Sequence, residues 1–588
     1  MTDLTDTSGL RTEPNSTSDR GLVSQVRRIA RRFVILTVVV IGVICGVLAV
    51  LFHRYVELMH DLLIGRALLQ HGIIGRVLVV AVPATVFAAL SAIVQRVAPR
   101  AVGANLARVR MAYNRDPSVL SARSIIATFL ATPVSLGAGA PLGPEGPIVV
   151  VTSGVSAGLA RMLHLPKKLV RGMIPVGVAA GIAAVFNTPI TGVVFALEEV
   201  FGTAERGLLG GVIVGAVAAA VVERSMLGGQ PLLAAPSTSW SDPRELLGFA
   251  LAGVLAGAFS GYSIAAMHWL KRCWARAMPS MVLRTATAGA LIGLLGLIAP
   301  SILGVGYHSV SFWLHGGGSA AGSGIAFGVK VLAFVVAVSS GVLGGTFAPS
   351  LFMGAALGSA IGHGALALFP ASGIDPKAYA LVGMGAFFAG LLRSPIAAVL
   401  IVVELTRDYD LILPLMLAVS LSIAVSRRIS HLSIVERQMA DEGYEEIHYA
   451  GDPLAALRVM DAMSRDPQTI APGATLVEGA ALAATTRHRI FPVCDREGRL
   501  LGIVRRESLL TGATGIAAGV MEASSLTVFP EDELIDVVAR MQHAGVDRCP
   551  VVVDTISQRL IGFLSPSDIL RARMSNPGEE QQTFEIFE

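Results

Sequence analysis

The chain has 588 residues, of which 53% are apolar and only 15% charged, with a mean hydropathy of +0.66. Soluble chains of this size carry about a quarter charged residues, so an ordinary cytosolic enzyme is excluded. The four cysteines, Cys45, Cys273, Cys494 and Cys549, include no CxxC pair and so give no sign of a disulfide framework or a zinc knuckle.

The net charge of +4 averages two unlike parts. Residues 441–588 hold 13 Arg and Lys against 23 Asp and Glu, net −10, which leaves residues 1–440 at net +14. In the larger part the basic residues flank apolar runs and form no stripe, the pattern of a membrane protein with basic cytoplasmic edges and not of a nucleic-acid binder.

Met1 to Asp19 is rich in Ser, Thr, Asp and Pro and reads as a disordered tail. Arg20, Arg27, Arg28, Arg31 and Arg32 then precede Phe33–Phe52, twenty uncharged residues that span a bilayer and place the N-terminus in the cytoplasm. A second span covers Val77–Val94. The later apolar stretches, Val149–Leu159, Val176–Leu197, Leu246–Ala265, Thr285–Val305, Val331–Leu343 and Ala380–Leu405, vary in length and are broken by Gly and Pro. Such breaks fit helices that stop halfway across the membrane and expose backbone amides to an internal ion site.

Two landmarks recur. Gly143-Pro144-Glu145-Gly146-Pro147 is echoed by Gly345-Thr346-Phe347-Ala348-Pro349, an offset of 202, and Pro189-Ile190 with Glu198 is echoed by Pro395-Ile396 with Glu404, an offset of 206. The membrane part is therefore a duplicated unit, with the binding site expected between its halves. A smaller repeat follows: Val459-Met460, Phe491-Pro492-Val493 and Leu501-Gly502-Ile503 recur at Val520-Met521, Cys549-Pro550-Val551 and Ile561-Gly562-Phe563, offsets of 61, 58 and 60. Each copy reads as helix, strand, helix, strand, helix in a soluble α/β module. The expected layout is a tail at 1–19, a membrane part at 20–440 with halves at about 33–225 and 245–440, a linker at 441–453, the paired module at 454–575 and a tail at 576–588.

Glu145 lies between two Gly-Pro elements, before Ile148-Val149-Val150-Val151. A carboxylate at membrane depth costs about 3 kcal/mol on insertion scales and is usually functional. The alternative is a loop glutamate at headgroup level. Pro147 suits a first helical turn, which puts Glu145 at a helix N-terminus where free N–H groups and the dipole attract anions. There the carboxylate occupies the anion's place when ionised and leaves it when neutral. Gly345 to Pro349 repeats the geometry without an acid, Phe347 being able to wall a pathway; the alternative is a kink between packed helices. One of Glu198 and Glu199 is a candidate proton relay, or both mark an exposed helix end. Glu404 reads as a structural acid paired with a helix-end base near Arg407. No histidine pair has metal-ligand spacing, so no metal is assigned.

These residues carry a resemblance to the CLC family of chloride channels and proton–chloride exchangers: Gly143 to Pro147 is similar to its G(K/R)EGP, Gly345 to Pro349 to its GxFxP, and Phe186-Asn187-Thr188-Pro189 to Glu199 and Arg393-Ser394-Pro395 to Thr406 match further family segments. Val459 to Arg573 resembles a pair of CBS domains. The resemblance implies an all-α polytopic membrane protein of the CLC type, an inverted repeat of broken helices, with a C-terminal α/β CBS pair. It also implies a homodimer in the inner or plasma membrane with both termini cytoplasmic, transporting chloride or a related anion against protons. Glu145 is then the external gate and Glu199 the internal proton glutamate. Gly143, Gly146, Gly345, Thr346, Phe347 and Ala348 surround the anion.

Three departures accompany the resemblance. The family's serine and tyrosine hydroxyl ligands of the central anion fall on Ala104 and Val435, and the basic residue before the gate is Pro144, which has no N–H. Each lost hydrogen bond to the anion weakens central binding by about 1.5–3 kcal/mol unless replaced, for instance by the Asn105 amide. A passive or weakly selective channel for another halide or nitrate, and a transport-dead CBS-linked sensor, therefore stand as alternatives. In the tail, Ser565 and Asp568 match the CBS positions that hold an adenine nucleotide.

Overall fold

The computed structural model describes residues 17–574 apart from short segments, chiefly 100–104, 202–208, much of 229–241, 443–453 and 511–514. Most of the expected N-terminal tail and linker, and the whole C-terminal tail, lie outside the described residues; Thr17–Asp19 do not belong to a tail but open the first helix. The chain divides into two compact units, Met1–Glu446 and Ile447–Glu588.

In the first unit α1 (Thr17–His60) runs through a π turn at Asp61–Gly65 into α2 (Arg66–Leu69), so the first apolar span extends from Val34 to Leu69 and is longer than the twenty residues its charge-free core suggests. Then follow α3 (Gly72–Val97), α4 (Leu106–Asn114), α5 (Ala122–Gly137), α6 (Glu145–Met162), α7 (Lys167–Phe186), α8 (Pro189–Ala196) and α9 (Leu209–Leu227). The second half comprises α10 (Glu245–Ala277), α11 (Met281–Ile298), α12 (Tyr307–Leu314), α13 (Ala320–Ser340), α14 (Phe347–Leu368), α15 (Pro376–Leu392), α16 (Pro395–Thr406), α17 (Ile412–Ile429) and α18 (Ile434–Asp441). Among the described residues nine helical stretches are long and apolar enough to cross a membrane. Several others, α4, α8, α12 and α18, have eight or nine residues, too few to span a bilayer at 1.5 Å per residue.

The halves correspond element by element around the breaks. α6 packs on α7 as α14 packs on α15. The second pair approaches closely because glycines meet: a Cβ on Gly354 would lie 2.3 Å from the Gly383 carbonyl oxygen. α7 ends at Asn187 and α15 at Arg393, both left-handed at φ 56° and 69°. Pro189 and Pro395 then start α8 and α16, where a missing N–H costs nothing.

Each of these restarted helices is capped from the other half. The Glu404 carboxylate accepts from Ile190 N at 3.0 Å, Thr191 N at 2.6 Å and the Thr191 hydroxyl at 2.5 Å. The Glu198 carboxylate reciprocates, accepting from Ile396 N at 3.0 Å and Ala397 N at 2.9 Å. Glu404 is therefore structural, but its partner is the N-terminus of α8 and not a base at its own helix end. A negative charge on free N–H groups gains from both the hydrogen bonds and the helix dipole, whereas Arg407 stands at the left-handed end of α16.

The second unit contains α19 (Val459–Ala462), β1 (Ser464–Arg465), α20 (Leu476–Thr485), β2 (Ile490–Cys494), β3 (Leu500–Arg505), α21 (Arg506–Leu510), α22 (Leu534–Ala544), β4 (Cys549–Val552), β5 (Leu560–Leu564) and α23 (Pro566–Met574). β2 pairs antiparallel with β3 and β4 with β5, with Phe491 opposite Val504 and Pro550 opposite Phe563. Among the described residues the expected helix between the two strands of each copy is absent: only five residues join β2 to β3, turning at Gly498 with φ 77°, and the helix precedes both strands. The copies exchange elements, since β1 joins β5 and Val459 lies in the second copy's core with Val537 and Val551.

Replacing Glu404 with Ala leaves the amides of Ile190 and Thr191 without their acceptor and should destabilise the detergent-solubilised protein by about 2 kcal/mol, Gln by less because it keeps an acceptor oxygen. Glu198→Ala should match it by symmetry. Thermal unfolding followed by size-exclusion chromatography checks both; an unchanged midpoint would contradict the capping role.

Candidate functional site

The loops before α6 and α14 meet through two reciprocal backbone bonds, Gly143 N to the Gly345 carbonyl at 2.9 Å and Gly345 N to the Gly143 carbonyl at 2.6 Å. Glycine is required at Gly345 by contact, since a Cβ there would lie 2.7 Å from Gly146 N; a Cβ at Gly143 would lie 2.1 Å from Glu145 Oε2 and displace that carboxylate. This pairing sets two helix N-termini against each other in a fully buried region containing Gly146, Phe347 and Ala348.

Glu145 is the first residue of α6 and has no solvent exposure. Its Oε2 accepts from Ala348 N at 3.3 Å, so the carboxylate of one half reaches the N-terminus of α14 in the other. Its Oε1 accepts from the Tyr307 hydroxyl, at the start of α12. Glu145 is therefore enclosed by protein and is not an exposed loop glutamate. Tyr307 was not legible from the sequence pattern; its only signal is the Gly304-Val305-Gly306 turn that interrupts the apolar run Thr285–Val305. Phe347 is packed by Phe195, Phe388 and Phe186 at centroid distances of 4.8, 4.7 and 6.1 Å, an aromatic cluster beside the same N-terminus.

The adjacent acids Glu198 and Glu199 separate in a π turn at Leu197–Phe201. Glu198 caps α16, while Glu199 is turned inward, only 4% exposed. The Glu199 carboxylate accepts from the Ser394 hydroxyl and lies 3.8 Å from the Arg110 guanidinium on α4. It is thus neither an exposed helix end nor a cap.

Ala104 lies outside the described residues. Val435 is buried in the first turn of α18, where Ser433 and Glu436 form a capping box, and presents no polar group. One turn further along α18, Gln438 Oε1 accepts from Asn105 Nδ2 at 2.8 Å, joining the start of α4 to α18. Both line a cavity of about 60 Å³ together with Thr128, Thr132, Gly344 and Thr346. The buried Thr128 hydroxyl and Asn105 Oδ1 have no hydrogen-bond partner among the described residues.

In the second unit Asp568 Oδ2 accepts from Ser565 N at 3.0 Å and the Ser565 hydroxyl at 2.5 Å, and Oδ1 accepts from the Ser464 hydroxyl at 2.8 Å. Ser565 and Asp568 are therefore brought together, in a closed cap at the start of α23 that also ties in β1.

Residues 84–427 match the family description "Voltage gated chloride channel", and residues 459–514 and 517–575 match "CBS domain". A putative chloride channel protein, ClcB-like, of Ralstonia nicotianae is 34% identical over 304 residues, 51% of this chain and 71% of that protein. The H(+)/Cl(−) exchange transporter ClcA of Citrobacter koseri is 29% identical over 409 residues, 67% of this chain and 86% of that one. The crystal structure of a eukaryotic CLC transporter superposes with a TM-score of 0.64 at 18% identity, covering 91% of this chain and 97% of that chain, a likeness of fold.

Asp568→Ala removes the acceptor of three hydrogen bonds and should lower the stability of the second unit by roughly 2 kcal/mol. Thermal unfolding of the full chain, read by protection of the second unit from limited proteolysis, tests this; unaltered protection would contradict the cap.

Proposed function

The chain belongs to the voltage gated chloride channel family, and on that premise we propose that it exchanges chloride for protons across the membrane, with Glu145 as the shared gate and the CBS pair as its regulatory module. The observation that carries this reading is the Glu145 carboxylate on the Ala348 amide. Ionised, it accepts from Ala348 N–H and the Tyr307 hydroxyl and fills the anion's place with its own charge. Protonated, it has no net charge to hold against the α14 dipole and gives way, and the N-terminus around Gly345, Thr346, Phe347 and Ala348 receives an anion. Its return requires that the proton leave and the anion yield. One group thus couples two ions.

Glu199 serves the inner proton step. Burial supports that role by disfavouring the ionised carboxylate, while the Ser394 hydroxyl and the Arg110 guanidinium at 3.8 Å favour it, so neither protonation state is fixed by one partner alone. The protein works as a homodimer in the lipid bilayer with both termini in the cytoplasm, an orientation supported by the arginines before the first span. Ser565 and Asp568 are the positions for an adenine nucleotide, which would have to draw Ser565 out of its bond to Asp568.

Val435 favours a second reading, a weakly selective anion channel, because it supplies no hydroxyl to the central anion. In the first reading the Asn105 and Gln438 amides and the Thr128 hydroxyl take over that task.

Two experiments on purified protein in liposomes check these roles. Glu145→Gln should abolish proton movement while chloride flux persists, and Glu199→Val should also uncouple; proton movement unchanged by Glu145→Gln would overturn the gate. Gln438→Ala removes the clasp and enlarges the cavity, so the flux of nitrate relative to chloride should rise at least threefold. An unchanged ratio would place the Asn105–Gln438 pair outside the pathway.

A further inference from the structure

Lys330 is a fully buried lysine in the middle of α13. Its Nζ donates to the carbonyl oxygens of Ile302 and Gly304, each at 2.8 Å, and lies 4.6 Å from the centroid of the Phe352 ring. Two carbonyls and a π face present electron density from three sides and no donor. That cage suits an ammonium, whose three N–H groups can meet both carbonyls and the ring face; a neutral amine, with two, would turn its lone pair to the ring. A cation buried at membrane depth is costly and usually functional.

The groups it touches belong to two elements. Ile302 and Gly304 lie in the turn that leads through Gly306, left-handed at φ 89°, to Tyr307. Phe352 stands on α14 one helical turn beyond Ala348. Those same two elements supply the donors of Glu145, the Tyr307 hydroxyl and the Ala348 N–H. Neither donor is held to the other by a direct bond; Lys330 spans the elements that carry them.

We propose that Lys330 is a positioning residue for Glu145: its ammonium ties the turn before Tyr307 to α14 and so holds the two donors at the spacing that receives the carboxylate. The proposal rests on the reading of Glu145 as the gate. It does not require Lys330 to touch an anion or to exchange a proton. Loss of the ammonium frees the turn, Tyr307 retreats, and Glu145 is held by the Ala348 amide alone.

The test is coupled chloride and proton flux in liposomes for Lys330→Met, Lys330→Arg and Tyr307→Phe, each in the native chain and in the Glu145→Gln background. Lys330→Met should lower the proton-to-chloride ratio at least threefold, as should Tyr307→Phe, with the double variant no worse than the more affected single one. Lys330→Arg, which keeps charge and donors, should recover most of the ratio. In the Glu145→Gln background chloride flux should be the same with and without Lys330→Met. A native ratio in Lys330→Met, or an equal loss of chloride flux in both backgrounds, would overturn the proposal, the second by showing a purely structural role. If Lys330→Met yields no folded protein, Gly306→Ala makes the same test. A Cβ there would lie 2.6 Å from Phe352 Cδ2 and push the turn off α14 with Lys330 intact, so a native ratio in Gly306→Ala would also overturn it. Should Glu145→Gln itself stay coupled, the gate reading fails and this inference falls with it; should it uncouple while Lys330→Met behaves as the native protein, this inference alone fails.

Discussion

A helix that stops inside a membrane leaves its first N–H groups without water to satisfy them, and the contacts between the two halves of the first unit answer that constraint. Two of its broken helices, α8 and α16, have their N-termini closed by carboxylates from the opposite half, Glu404 and Glu198. The loops before α6 and α14 close against each other through the Gly143–Gly345 pair. At the start of α14 the acceptor is Glu145, the carboxylate that the proposed function withdraws. The same physical interaction, an anion at a helix N-terminus, closes α8 and α16, and in the proposed function it is exchangeable at α14.

The difference lies in what surrounds each acid. Glu198 and Glu404 each serve two backbone donors on a neighbouring helix start, which leaves them no second position of comparable energy. Glu145 takes one amide at 3.3 Å and one side-chain hydroxyl, both on elements other than its own. These two donors depend on how α12 and α14 are held, which is where the proposed role of Lys330 enters. A gate needs two states close in free energy, and a carboxylate whose donors sit on two other elements loses them when those elements shift.

The sequence made the membrane character, the duplication and Glu145 legible because each is a local pattern: apolar runs, offsets of 202 and 206, an acid between glycines and prolines. It did not reveal what the acids touch. Glu404 meets Ile190 across 214 positions, Tyr307 meets Glu145 across 162 and Asn105 meets Gln438 across 333, and no periodicity encodes such distances. Lys330 was invisible for a related reason: one lysine in an apolar helix looks the same whether it points to lipid headgroups or into a cage of carbonyls. In the second unit the repeat was readable but its helix order was not, because the short link at Asp495–Arg499 looks like any polar segment until its turn is seen.

The central claim is that one carboxylate alternates with the anion at the same helix end, so that movement of either ion drives the other. Its most direct measurement uses the native protein in liposomes under an outwardly directed chloride gradient at equal pH, with external pH recorded. The account predicts that chloride efflux drives proton uptake and continues to drive it against an opposing pH gradient of moderate size. Chloride efflux with no uphill proton movement would contradict it.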